Sequence, residues 1–154
     1  MCGICGIIDF NEKVLRNREI RTMMRTIRHR GPDDDGMFHE DNVHLGFVRL
    51  SIIDLTNAGH QPMFSADKKK VIVFNGEIYN YIELREELKS LGHDFRSGTD
   101  TEVLLAAYQQ WGRAYLDRFN GMWAFCIYDI EKKVLFMARD RFGIKPFYYY
   151  VNAE

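Results

Sequence analysis

Trp123-Ala124-Phe125-Cys126-Ile127-Tyr128, then Asp129-Ile130-Glu131-Lys132-Lys133, then Val134-Leu135-Phe136-Met137-Ala138 pairs two apolar runs across a short polar turn, the pattern of a β-hairpin. It follows directly on helical sequence. Leu104, Leu105, Tyr108 and Trp111 recur at helical spacing up to Gly112, and Thr99 with Glu102 forms a capping box at the start of that run. A short further helical segment is expected over residues 115–119. Upstream, Asn80 with Glu83 repeats the capping device, and Leu84, Leu88 and Leu91 give the stripe of another helix that Gly92 stops. Before that helix the chain reads as strands. Residues 71–75 are a short apolar run, and residues 43–53 begin with Val43, Leu45 and Phe47 at period two. An opening strand is expected over residues 4–10, then a helix carrying Ile20, Met23, Met24 and Ile27 that Gly31-Pro32 ends. A last strand is expected over residues 147–151. Strands at both ends with helices gathered between them lack the strict alternation of a doubly wound sheet, so the fold class is α+β with largely antiparallel sheets.

The chain has 154 residues, which suits one domain with a substantial core. A formal net charge of −1, with no basic block longer than Lys68-Lys69-Lys70, argues against a nucleic-acid partner. No run approaches the roughly 20 apolar residues of a membrane helix. The apolar stretch at residues 4–8 lacks a basic leader and runs into Asp9, so no membrane association and a cytoplasmic location are expected. Cys2, Cys5 and Cys126 are an odd number of cysteines without secretion signals, which favours reduced thiols. Cys2 and Cys5 form a C-x-x-C pair, but no second pair completes a zinc site, and the pair precedes a strand rather than opening a helix as redox pairs do. Metal is therefore not expected, and Cys5 and Cys126 read as packing residues.

Cys2 follows only the initiator methionine, and so small a residue usually permits its removal. An N-terminal cysteine carries a thiol and a free α-amine on adjacent carbons, so nucleophile and base arrive in one residue. The amine's reference pKa of about 7.7 to 8.0 leaves part of it neutral near pH 7, able to take a thiol proton and return it. Read alone, Cys2 is equally a residue without a role. Asn75-Gly76 leaves an apolar strand and enters what reads as a turn before a helix. The pair could instead be an oxyanion hole, an asparagine amide and a glycine N–H both donating to a developing negative oxygen.

Taken together, Cys2-Gly3-Ile4, His29-Arg30-Gly31-Pro32-Asp33, Arg49-Leu50-Ser51-Ile52-Ile53-Asp54, Asn75-Gly76-Glu77-Ile78-Tyr79-Asn80, Gly98-Thr99-Asp100-Thr101-Glu102 and Arg139-Asp140-Arg141-Phe142-Gly143 resemble the class II glutamine amidotransferases. Within them the likeness is to the glutaminase half of the glutamine-hydrolysing asparagine synthetases. It spans almost the whole chain, with residues 2–154 expected to form the glutaminase domain. The resemblance implies an N-terminal nucleophile hydrolase fold, two antiparallel sheets sandwiched between helical layers. It implies Cys2 as nucleophile, Asn75 and Gly76 as oxyanion donors, Arg49 as clamp for the glutamine α-carboxylate and Asp100 as partner of its α-ammonium. Ile52, Ile53 and Glu77 match positions lining the same pocket. A zwitterionic substrate needs opposite charge at each end, and arginine grips carboxylates bidentately. Arg49 could otherwise be a solvated strand residue, and Asp100 a residue favouring a helix start. His29 and Arg30 could position loops behind the site or supply a basic helix end.

The resemblance implies hydrolysis of L-glutamine to glutamate and ammonia through a thioester on Cys2, without cofactor in this domain. A retained Met1 would turn the α-amine into an amide and leave the chain inactive. ATP and magnesium belong to a synthetase domain, C-terminal or separate, because the glycines here are dispersed and build no phosphate-cradling loop. Residues 142–150, with Phe147, Tyr148, Tyr149 and Tyr150, are its expected docking region unless they fill the core. A homo-oligomer stays open. Rival readings are another enzyme on this scaffold, making amino sugars or phosphoribosylamine or hydrolysing another carboxamide, and a module that senses glutamine without turnover.

Overall fold

The computed structural model describes residues 1–10 and 15–152. Its first sheet comprises β1 (Gly3–Ile8), β2 (Asp34–Glu40) and β3 (Val43–Arg49) in the order β1-β3-β2. The second comprises β4 (Met63–Phe64), β5 (Lys70–Ile78), β6 (Gly121–Asp129) and β7 (Val134–Arg139) in that order, and every pairing in both sheets is antiparallel. Between β5 and β6 lie α2 (Tyr81–Ser90), α3 (Asp100–Trp111) and the 3-10 segment Gly112–Arg118, while α1 (Asn17–Thr26) follows β1.

The layering follows from which face each strand hides. Val43, Leu45 and Phe47 of β3 meet Val71, Val73, Cys126 and Tyr128 in the space between the sheets. The alternate residue Val48 meets Ile20 and Met24 of α1 on the outer side. The other faces of β5 and β6 carry Ile72, Phe74, Phe125 and Ile127, which pack on Leu84, Leu88, Leu104 and Leu105 of α2 and α3. The order is helix, sheet, sheet, helices, the expected αββα arrangement of an N-terminal nucleophile hydrolase. Period two in β3 proved only half the pattern: His44, Gly46 and Val48 are buried as well, because a central strand between a helix and a second sheet has no solvent face.

Several local expectations need correction. Asn75-Gly76 is no turn: β5 continues through it, Asn75 pairing with Ala124 and Gly76 with Trp123. The Asn80 side chain does not cap α2. It ties the helix start to the following segment instead, donating to Arg118 O at 3.0 Å and accepting from Asn120 N–H at 2.9 Å. Thr99 does cap α3, accepting from Glu102 N–H at 3.2 Å, but the Glu102 carboxylate reaches Arg96 N–H and Ser97 N–H rather than Thr99. Met23 lies on the outer side of α1 and Leu91 just past the end of α2, both exposed. The expected strand at 147–151 is absent, since no pairing joins these residues to either sheet, and Tyr148, Tyr149 and Tyr150 are exposed rather than core. Strand β2 carried no apolar signal because it is an edge strand whose sequence, Asp34 to Glu40, is mostly polar or half-buried.

Candidate active site

One end of the inter-sheet space opens into a cavity of about 110 Å³. Cys2, Arg49, Ile52, Ile53, Asn75, Gly76, Glu77 and Asp100 all line it, although in sequence they span nearly a hundred residues. The sheets bring them together. β1 delivers Cys2 at its start, and β3, paired antiparallel to it, ends at Arg49 on the same rim. β5 in the facing sheet carries Asn75, Gly76 and Glu77, and α3 presents Asp100 as its first residue.

Cys2 is half-buried, its thiol donating to Leu50 O at 3.6 Å while Leu50 N–H donates to Sγ at 3.4 Å. Burial pushes the thiol pKa up, and the Leu50 N–H, the chain's N-terminal ammonium and Arg49 offset that only in part. The sulfur therefore rests as a thiol and needs a base to become a nucleophile. Cys5, raised to about 11 by burial alone, packs under α1, and Cys126, raised to about 12, lies between the sheets. Neither faces the cavity.

Arg49 is buried, and its guanidinium donates to Thr56 O at 3.0 Å and to Asp54 O. The loop carrying these carbonyls approaches so closely that a Cβ at Gly59 would lie 2.0 Å from Arg49 Nη2, so a side chain there would displace the guanidinium from its two carbonyls. Asp54 pins that loop to the start of α3 by accepting from Gly98 N–H at 2.7 Å. Two carbonyls orient the guanidinium without neutralising it, leaving its charge for a ligand. Asp100 accepts from Ile78 N–H at 2.9 Å, and burial raises its pKa to about 6. Buried groups of opposite charge thus line the same cavity without being ion-paired to each other.

Asn75 is buried, with no hydrogen bond to its side-chain amide among the described residues, while it lines the cavity. At Gly76 a Cβ would stand 2.4 Å from Met122 O and 2.6 Å from the Phe74 ring, which excludes any other residue. Asn75 and Gly76 are neighbours in an otherwise regular strand, so two donors can face one small volume. Ile52 lies at the mouth and is exposed. Arg30 sits behind Cys2, its Nε donating to Cys2 O at 3.1 Å, whereas His29 is exposed.

Two contributors escaped the sequence reading. Gln61, buried, accepts from Phe74 N–H at 2.7 Å and donates to Thr101 Oγ1 at 3.2 Å, binding β5 to the start of α3. Lys145, also buried, lines the cavity with its ammonium 2.7 Å from Met1 Sδ. Nothing local marks either residue as buried, since each depends on a remote segment folding over it. Among the described residues no cluster of His, Cys, Asp and Glu could hold a metal, and no helix is long and apolar enough to cross a membrane.

A family model described as a glutamine amidotransferase domain matches residues 1–154. Asparagine synthetase (glutamine-hydrolysing) 1 of Bacillus subtilis is 49% identical over 97% of the chain, and asparagine synthetase B (glutamine-hydrolysing) of Escherichia coli is 43% identical over 96%. The chain spans only 24% and 26% of the length of these relatives. Glutamine phosphoribosylpyrophosphate amidotransferase of B. subtilis, solved with ADP and GMP, superposes with a TM-score of 0.76 over 94% of the chain and 38% of its own length, at 21% identity.

Proposed function

The chain belongs to the glutamine amidotransferase domain family, and on that footing we propose that it hydrolyses glutamine to glutamate and ammonia through a thioester on Cys2. The observation that carries this reading is the convergence of a thiol, a buried guanidinium, a buried carboxylate and a pair of open donors on one cavity.

With Met1 removed, the Cys2 α-amine takes the thiol proton and the thiolate attacks the side-chain carbonyl of glutamine. Arg49 holds the α-carboxylate and Asp100 the α-ammonium. The carbonyl oxygen becomes an oxyanion, stabilised by the Asn75 side-chain amide and Gly76 N–H. Collapse returns the proton to the leaving nitrogen, so ammonia departs and a γ-glutamyl thioester remains. Water, deprotonated by the same amine, then attacks the thioester through a second oxyanion in the same hole. Glutamate leaves and the thiol is restored. This domain's steps call on no metal or cofactor.

The ammonia serves asparagine synthesis in an ATP- and magnesium-dependent synthetase domain, covalently joined or separate. The names and greater length of the relatives support that assignment. Mixing methionine-processed chain with glutamine tests the reading. Glutamate and ammonia should appear in equal amounts, Cys2→Ala should abolish both with the fold intact, and Cys5→Ala should keep most activity. Undiminished release by Cys2→Ala would refute the nucleophile assignment.

A further inference from the structure

The turn after β7 is held by more polar contacts than its length requires. Asp140, buried, accepts from the backbone N–H groups of Trp123 at 3.2 Å, Phe142 at 3.1 Å, Ile144 at 2.9 Å and Lys145 at 2.9 Å. Arg139 braces the same turn, its Nε donating to Lys145 O at 2.7 Å and its Nη2 to Gly143 O. What this scaffold places is the Lys145 side chain, 3% exposed and lining the Cys2 cavity instead of reaching water.

Among the described residues the acceptor of its ammonium is the Met1 thioether, a weak one, and no carboxylate stands within ion-pairing distance. Burying a cation on such terms is costly. Burial and the nearby Arg30 charge both lower the Lys145 pKa.

We propose that Lys145, once Met1 is gone, keeps the Cys2 α-amine in its neutral, basic form by placing a fixed positive charge beside it. This rests on reading Cys2 as an N-terminal nucleophile. The thioether that Lys145 touches ends the side chain of Met1, whose carbonyl acylates the Cys2 nitrogen, and Lys145 and Cys2 line the same cavity, so removing Met1 both frees that nitrogen and vacates the space against which the ammonium lies. A nearby cation disfavours a second one, and in a partly shielded site the effect is on the order of one pH unit. The neutral amine then accepts the thiol proton, one S–H bond breaking as one N–H bond forms.

Two further cations stand about this nitrogen: Arg30, whose Nε donates to Cys2 O and whose buried Nη2 has no partner among the described residues, and Arg49, oriented by Thr56 O and Asp54 O with its charge left for the glutamine carboxylate. On the acidic side stand Asp100 at the start of α3 and Glu77 on β5, with Asp140 behind the turn saturated by amides. Lys145 is the residue whose charge the turn delivers here without a carbonyl or carboxylate to satisfy it. It acts through the Cys2 amine and is a positioning residue, not a catalytic one.

Lys145→Met and Lys145→Arg, made in methionine-processed chain, test this. NMR of isotope-labelled cysteine follows the Cys2 amine titration directly, and glutamate release against pH gives the acid limb of turnover. Thiol and amine titrate as a pair, so the comparison is between variants under one assay. Lys145→Met should move both the titration and the acid limb up by about one pH unit, and Lys145→Arg should restore them to within a few tenths. An amine that titrates in Lys145→Met where it does in wild type overturns the proposal. Should that variant lose its cooperative melting transition, Lys145→Gln makes the same comparison with an uncharged polar side chain. Wild-type chain that releases no glutamate at any pH sinks the glutaminase reading instead, while the NMR titration still judges Lys145.

Discussion

Asp100→Asn should make the empty protein more stable while removing its grip on glutamine. In the folded chain the Asp100 carboxyl is buried and its pKa rises from 3.8 to about 6. The folded state therefore holds the proton more tightly than the unfolded state. Stability contributed by the protonated acid is complete below about pH 4 and is lost as the pH climbs past 6. At about 1.4 kcal/mol per pH unit, that loss is about 3 kcal/mol by pH 7.5. Asparagine has no proton to lose, and its side-chain oxygen still accepts from Ile78 N–H, the bond Asp100 makes at 2.9 Å. The negative charge also favours the helix N-terminus by roughly 0.3 to 1 kcal/mol, and losing it subtracts from the gain. Urea unfolding between pH 4 and 7.5 measures the outcome. Variant and wild type should coincide near pH 4 and diverge to about 2 to 3 kcal/mol in the variant's favour at pH 7.5. A difference that does not change with pH, or a wild type more stable at neutral pH, would show that Asp100 is not held against its charge.

The same carboxyl must be ionised to meet an ammonium, so glutamine affinity measured calorimetrically on Cys2→Ala should fall about tenfold per pH unit below about pH 6. A flat affinity from pH 7 to 4.5 would contradict the assignment. Asn75→Ala should lower kcat by roughly 10²- to 10³-fold with little change in KM, since its amide is asked to act on the developing oxyanion; equal losses in both parameters would point to simple binding. Gly76→Ala should disrupt the pairing of β5 with β6, because the added methyl would meet Met122 O at 2.4 Å and must displace backbone. Thermal melting should report a loss of about 1 to 3 kcal/mol, as overpacking does, and a variant melting with wild type would show that the strand has slack.

Apolar periodicity was enough to place the strands at both ends of the chain and the helices between them, because each element's buried stripe is written at local spacing. The hairpin of residues 121–139 and the Thr99 cap of α3 needed nothing beyond neighbours in sequence. The cavity residues were legible as motifs, but a motif has no geometry: that Arg49, Asn75 and Asp100 line one space is a product of β3 and β5 lying in facing sheets and of Ile78 N–H tying the start of α3 to β5. Tertiary context also overrode local signals. Asn75-Gly76 has turn chemistry, yet β6 offers it a ladder to join and Met122 leaves no room for a side chain. The aromatics at 147–151 have strand composition but no pairing, and β2 is polar yet paired along its whole length to β3. Lys145 is the sharpest case. A lysine in sequence reads as solvated, and only the four amides gathered by Asp140, one of them from β6, turn it inward to the space beside Cys2. Burial is a property of what folds over a residue from far along the chain, and the residues beside it in sequence do not carry that information.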